Sequence, residues 1–253
     1  MKRAEKDVRC SRPHRVLPTM EMNLDTRKNA IIRLFNVTKR YGAKLALRNV
    51  SLEILPGEFV FISGPSGAGK STLLKVLYLA EKVSDGQILI DGMNLARVSA
   101  SSLPFLRRRF GMIFQDFKLI PTRTVFDNVA LVLEVAGKKP SFIRRKVMHV
   151  LRITGMETKA HALPPTLSGG EQQRVAVARA VVGDPEIILA DEPTGSLDQA
   201  SARRVLEILL AYHKKGVTIL VASHHLQQLQ TMVRGRTVVL EKGELRMSAL
   251  KCL

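Results

Sequence analysis

The pattern of apolar and polar positions divides the chain into strands and helices that take turns from about residue 31 to residue 247. An apolar run at 31–35, Ile-Ile-Arg-Leu-Phe, predicts a first short strand, and runs at 50–54 and 58–63 predict two more on either side of the turn pair Pro56-Gly57. After residue 63 the period changes. Leu73, Leu74 and Leu77 have helical spacing, so a glycine-rich segment joins a strand to a helix. Residues 87–90 ahead of Asp91-Gly92 predict a further strand, and Ser102 ahead of Pro104 predicts a helix start. The stretch from about 116 to 166 is mostly helical in pattern, with breaks at Pro121, Gly137, Pro140, Gly155 and Pro164-Pro165, and reads as an inserted helical subdomain. Beyond it come a helix from Ser168, a buried strand at 187–190, a helix near 200–212, a second buried strand at 217–222, and a closing hairpin at 237–240 and 244–247 around Lys242-Gly243. Near-continuous apolar strands alternating with helices predict an α/β fold with a mainly parallel sheet covered on both faces.

The ends of the chain break this rhythm. Residues 1–30 lack apolar periodicity, contain Pro13 and Pro18, and mix charges of both signs, which predicts a disordered basic tail. They lack the apolar stretch of a secretory signal, and Met20 and Met22 stand as alternative starts. The expected organisation is therefore a tail at 1–30, one folded domain at 31–248, and a short C-terminal tail at 249–253. No apolar run approaches the roughly 20 residues of a membrane span. Cys10 and Cys252 show no metal-ligand spacing, and a reducing, cytoplasmic setting is expected.

The net charge of +18 is concentrated. Residues 1–30 carry eight Lys/Arg against four Asp/Glu, and residues 101–152 carry eleven against three. Solvated faces that keep the protein soluble explain this, and so does attraction to an anionic membrane leaflet. Nucleic acid is a weaker fit, because no helix-turn-helix or aromatic RNA-binding motif accompanies the charge and aromatic residues make up only 5% of the chain.

Three segments carry chemistry. In Gly64-Pro65-Ser66-Gly67-Ala68-Gly69-Lys70-Ser71, glycines allow backbone N–H groups to wrap phosphates, Lys70 suits the β and γ phosphates, and the Ser71 hydroxyl suits Mg²⁺, with Thr72 placed for the α phosphate. The apolar run at 187–190 ends in Asp191-Glu192, at the strand end where open α/β sheets hold ligands; Asp191 is a candidate metal ligand and Glu192 a candidate general base. The run Leu167-Ser168-Gly169-Gly170-Glu171-Gln172 contains a capping box that starts a helix, and two free glycine amides at that helix start also make an anion site.

In this order the three segments resemble the nucleotide-binding domain of ABC-type ATPases. The six-residue run is the specific part, since chance would produce it in on the order of one such chain in ten thousand. The resemblance runs from about residue 31 to 247. It implies a P-loop NTPase (RecA-like) core, an antiparallel β subdomain and the helical insert, with ATP and Mg²⁺ as cofactors. It also implies a head-to-tail homodimer in which Ser168, Gly169, Gly170 and Glu171 serve the nucleotide held by the opposite copy. Three more positions match the family pattern. Tyr41 resembles the residue that stacks on adenine, Gln115 the glutamine that reaches Mg²⁺ and the attacking water, and His224 the switch histidine at the γ phosphate. Each also has a plainer reading, as a half-buried strand end, a solvated loop residue and a structural histidine. Ser196, where relatives commonly have Asn, and His225, where an Asp often follows, depart from the pattern without removing a phosphate ligand or the base.

Within the family, the chain has no heptad array or cysteine cluster of the repair and chromosome members, and it carries one ATPase unit where translation members carry two. The segment Phe114-Gln115-Asp116-Phe117-Lys118-Leu119-Ile120-Pro121 and the following Arg123-Thr124-Val125-Phe126-Asp127-Asn128-Val129-Ala130 are similar to the cell-division branch. That likeness implies an integral membrane partner whose cytoplasmic helix docks near Gln115 to Asp127, with the ATPase held at the inner face of the membrane. Lipoprotein-releasing and macrolide-export ATPases have similar segments and stay open, and a nucleic-acid-associated ATPase is the remaining alternative.

Overall fold

The computed structural model of the chain describes residues 30–195, 197–224, 230 and 233–246. The tail at 1–29 with Cys10, Met20 and Met22 lies outside the described residues, as do Ser196, His225, Met247, Cys252 and the expected C-terminal tail at 249–253.

An antiparallel sheet is built from β1 (Ile32–Tyr41), β2 (Lys44–Ile54), β4 (Asp85–Ile90) and β5 (Met93–Asn94), in the order β2-β1-β4-β5. β1 and β2 run well past the apolar segments predicted at 31–35 and 50–54. The reason is a pair of irregularities: Asn36 and Asn49 take positive φ of 49° and 50°, and the β1–β2 register shifts between Leu34 and Val37. Strict alternation is lost there, although Val37, Leu47 and Val50 remain fully buried.

The second sheet holds β3 (Phe59–Ser63), β6 (Phe110–Ile113), β7 (Ile187–Asp191), β8 (Thr218–Ala222), β9 (Arg236–Glu241) and β10 (Glu244–Arg246), in the order β10-β9-β3-β8-β7-β6. All pairings are parallel except the closing hairpin β9–β10. Successive side chains enter two different cores. Phe61, Ile188, Ala190, Ile219 and Val221 meet the helices, whereas Val60, Ile62, Ile187, Leu189, Leu220 and Ala222 meet the side that carries α1 (Lys70–Leu77) and the antiparallel sheet. Burial on both faces explains why these strands read as unbroken apolar runs. The predicted combination of a parallel core and an antiparallel sheet is thus present, and β6, like the two-residue β5, is a strand the pattern missed. Gly111 interrupts its apolar run, yet a Cβ there would overlap the Ala180 carbonyl, so glycine is what lets the neighbouring helix approach.

That neighbour is α5 (Gly169–Val181), which packs with α3 (Val125–Val135) and α4 (Pro140–Ile153). Thr124 caps α3 by accepting from the Asp127 N–H at 3.1 Å, and Pro140 opens α4, where a missing N–H costs nothing. α4 buries Ile143, Val147, Val150 and Leu151 on one stripe and leaves its basic face outside. α2 (Leu103–Arg107) is short, and α6 (Gln199–His213) starts at an Asp198 cap that accepts from the Ser201 N–H at 2.9 Å. Among the described residues, no helix is long and apolar enough to cross a membrane.

Candidate functional site

Because β3, β6, β7 and β8 are parallel, their carboxyl ends share one edge of the sheet, and each leads directly to a candidate residue. β3 runs into the glycine loop and α1. Gly64 and Gly69 take φ of 146° and 107°, and a Cβ at either would overlap a backbone carbonyl, that of Leu240 or of Ala46. The loop therefore tolerates no side chain at these two points. Lys70 is buried at 7% exposure, and its ammonium donates to the Gly64 and Pro65 carbonyls at 2.8 and 3.1 Å.

β7 delivers the carboxylates. Ser71 Oγ donates to Asp191 Oδ1 at 3.0 Å. Burial pushes the Asp191 carboxyl above the usual range; the Ser71 hydrogen bond works against the shift, and the neighbouring Glu192 charge adds to it. Glu192 sits at φ 46°, a left-handed conformation that turns its side chain back over the loop. Its Oε1 accepts from the His224 backbone N–H at 3.1 Å, lies 2.7 Å from His224 Nδ1, and lies 3.9 Å from the Lys70 ammonium. Glu192 Oε2 is buried with no hydrogen-bond partner. An orphaned carboxylate oxygen is costly unless a ligand or water completes it.

One cavity of about 360 Å³ is lined by Tyr41, Ser66, Gly67, Gly69, Lys70, Ser71, Thr72, Gln115, Glu192 and His224, together with Lys44 and Ala46, and Asp191 is linked to it through its bond with Ser71. Gly64 and Pro65 contribute carbonyls behind the loop, and Ala68 is buried beneath it with its N–H on the Pro65 carbonyl. Lys44 escaped the sequence reading. The one available signal was its position opposite Tyr41 in the β1–β2 hairpin, which puts both at the same mouth. Gln173 was missed as well: it is buried on α5 and donates to the Pro193 carbonyl at 2.8 Å, tying that helix to the loop after Glu192.

Ser168, Gly169, Gly170 and Glu171 stand apart, and none of them lines the cavity. The capping box is complete: the Glu171 N–H donates to Ser168 Oγ at 3.3 Å and the Ser168 N–H donates to Glu171 Oε2 at 2.9 Å. This bond to the Ser168 backbone holds the Glu171 carboxyl below the usual range. Gly169 has open space where a Cβ would be, whereas a Cβ on Gly170 would overlap Ser201 Oγ.

The donor set at Ser71 and Asp191 suits a hard cation. Two oxygens already lie within hydrogen-bond distance of each other, and no group of three or more His, Cys, Asp or Glu among the described residues competes as a metal site. A cation held by two protein oxygens completes its shell with phosphate oxygens and water.

A phosphate loop between β3 and α1, an acidic end on β7, and a capped glycine pair opening α5 define an ABC-type ATP-binding subunit, and the chain belongs to that family: residues 47–195 match the family described as ABC transporter. It is an enzyme that binds and hydrolyses ATP. The relatives narrow the class. The chain is 46% identical over 215 residues to the cell division ATP-binding protein FtsE of Bacillus subtilis, covering 84% of this chain and 93% of that protein. Its identity to the FtsE of Escherichia coli is 48% over 195 residues, covering 77% and 88%. Among solved structures, the dimeric structure of MJ0796, a bacterial ABC transporter cassette, superimposes with a TM-score of 0.79 at 37% identity, covering 85% of this chain and 96% of that one. A post-hydrolysis dimer of the same cassette, bound to ADP and phosphate, gives 0.78 at 36% identity with the same coverage.

Proposed function

We propose that this ATPase is the FtsE-like, cytoplasmic-side partner of an FtsX-like integral membrane protein in bacterial cell division, held at the inner face of the membrane by that partner. The observation that carries the chemistry is Glu192, a buried carboxylate with one oxygen unpaired, facing the same cavity as Lys70, Ser71, Gln115 and His224. In this reading Tyr41 stacks on adenine, the loop amides from Ser66 to Thr72 hold the phosphates, and the Lys70 ammonium leaves the Gly64 and Pro65 carbonyls for the β and γ oxygens. Ser71, Asp191 and Gln115 would hold Mg²⁺, which when bound would neutralise charge on the phosphate oxygens. Glu192 orients a water toward the γ phosphorus and takes its proton as the new oxygen–phosphorus bond forms and the bond to ADP breaks. His224 holds Glu192 in place beforehand and contacts the γ phosphate once it arrives.

Ser168, Gly169, Gly170 and Glu171 do not line the cavity of their own chain, and the free amides of Gly169 and Gly170 fit the γ phosphate of a second copy. Two chains placed head to tail complete two sites. The helical insert, about 116–166, then carries the mechanical output. Beside it lies a groove of about 440 Å³ whose lining includes Tyr78, Arg107, Phe110, Lys118 and Arg179 and no carboxylate. The Arg179 guanidinium in that groove donates to the Phe117 carbonyl at 2.7 Å and to the Lys118 carbonyl, two and three residues after Gln115. A helix of the membrane partner seated there is linked directly to the residue that senses the nucleotide.

The test is to recover a tagged Glu192→Gln protein from native membranes with ATP present and identify what accompanies it. An FtsX-like membrane protein is the expected result. A lipoprotein-releasing or export permease would move the function to transport, and nucleic acid without a membrane protein would overturn the membrane role.

A further inference from the structure

The two most exposed large hydrophobic side chains among the described residues are Phe105, at 65%, and Val135, at 63%, and they belong to one patch. Arg108 joins them. Its guanidinium lies 4.9 Å from the Phe105 ring centre and donates to the Val135 carbonyl at 2.7 Å. Three residues beyond Val135 the patch continues into the start of α4, where the Lys138 ammonium and the Arg145 guanidinium lie 6.0 and 5.8 Å from the Phe142 ring centre. Lys139 and Arg144 are exposed beside them. The nearest acid along the chain, Glu134, is 3.6 Å from Arg123, and Asp184 is held by Lys146 at 2.7 Å. The outward basic groups of the patch therefore have no carboxylate partner among the described residues.

We propose that this patch, formed by Phe105, Arg108, Val135, Lys138, Lys139, Phe142 and Arg145, is a contact site for an anionic lipid surface. Its shape separates it from the groove next to it. A groove takes a rigid helix; here two apolar knobs project outward among long, flexible cations, which suits a fluid interface where knobs enter the headgroup layer and cations pair with lipid phosphates. Cation–aromatic contacts keep the charged ends over the rings at the level where apolar and wet regions meet. The charge fits the same occupant, since residues 101–152 carry eleven basic against three acidic side chains. Val135 and Arg108 also border the groove, so the contact would set the orientation of the ATPase at the membrane before any protein partner is engaged.

The inference does not depend on a role in division, and its test contains neither a membrane partner nor turnover. The full-length protein is mixed with vesicles of phosphatidylcholine alone or with about one third phosphatidylglycerol, and bound protein is recovered by flotation at several salt concentrations. Wild type is expected to float with the anionic vesicles only, less so as salt rises. Lys138→Glu with Lys139→Glu should weaken that binding by about tenfold or more, from the surface attraction lost per basic residue. A control of equal charge change, Lys214→Glu with Lys215→Glu on exposed positions after α6, should retain most of it. Phe105→Ser, which changes no charge, should also weaken binding, and ATP binding by each variant, measured alongside, should match wild type. Absent wild-type binding, equal loss in the control pair, or full binding by the patch variants would overturn the proposal.

Discussion

Glu192 and Asp191 are consecutive carboxylates in different environments, and the difference assigns them different tests. Glu192 keeps one oxygen on His224 and leaves the other unpaired inside the site. Glu192→Gln preserves size and the contact to the His224 N–H while removing the proton acceptor, so ATP binding should persist and single-turnover hydrolysis should fall by at least about 10²-fold. Unchanged hydrolysis would remove Glu192 from the mechanism. Asp191 is buried at the strand end, and burial raises its folded pKa above the ordinary 3.8. The sign follows from linkage: a raised carboxyl binds protons more tightly in the folded state, so its contribution to stability is greatest at low pH and declines as pH rises through the folded value. Asp191→Asn should therefore raise the melting temperature of the nucleotide-free protein at neutral pH, with the gain vanishing below pH 3.8, where both forms are neutral. The same substitution should weaken Mg²⁺-dependent ATP binding. A melting temperature that drops at neutral pH would mean that the Ser71 bond outweighs burial.

At the level of elements, two residues decide how helices present the site. Asn128, fully buried at the start of α3, accepts from the Ile120 N–H at 2.8 Å and points its amide nitrogen at the carbonyls of Ile120, Arg123 and Thr124 within 3.1 Å. It replaces the secondary structure that residues 120–124 lack, and Asn128→Ala should cost about 2–3 kcal/mol in urea unfolding, from several lost bonds of roughly 1 kcal/mol each. Gly170 lies at the second position of α5 against Ser201 of α6. Alanine normally favours a helix by about 1 kcal/mol over glycine, so a destabilising Gly170→Ala would isolate the overlap with Ser201. We expect that variant to bind ATP normally and hydrolyse it at least about tenfold more slowly, and Gly170→Ala with Ser201→Gly to recover most of the rate. No recovery would put the defect in the glycine itself. The elements differ in how far the chain displays them. β7, β8 and α5 are legible because burial on both faces gives unbroken apolar runs and because a capping box spells a helix start. β6 is not, since its glycine serves a neighbouring helix, and the outer half of β1 is hidden by the shift at Asn36. In the same way the loop and strand-end residues of the cavity stand out by spacing, whereas Gln173 acts through a contact across the fold that no local pattern records, and Lys44 shows only as the hairpin neighbour of Tyr41.

For the whole molecule, the decisive fact is separation. The phosphate loop and Glu192 border one cavity, with Asp191 bound to Ser71, and the capped glycine pair of α5 lies outside that cavity in the same chain. If each pair of glycine amides serves a second copy, ATP acts as the adhesive between chains and hydrolysis dissolves it. Blocking the chemical step while keeping the ligand should then reveal the assembly. Glu192→Gln at tens of micromolar with saturating ATP and Mg²⁺ should elute in gel filtration at twice the monomer mass of 28.1 kDa, and with ADP it should return to the monomer. Lys70→Ala, deprived of its phosphate contact, should stay monomeric with either nucleotide. If both sites need both chains, wild-type hydrolysis per molecule should rise with protein concentration until the dimer dominates, and mixing Glu192→Gln with wild type should not restore a simple average. A Glu192→Gln protein that binds ATP tightly yet elutes as a monomer, with a rate per molecule independent of concentration, would show that one chain completes its own site and that the glycines of α5 serve only to start a helix.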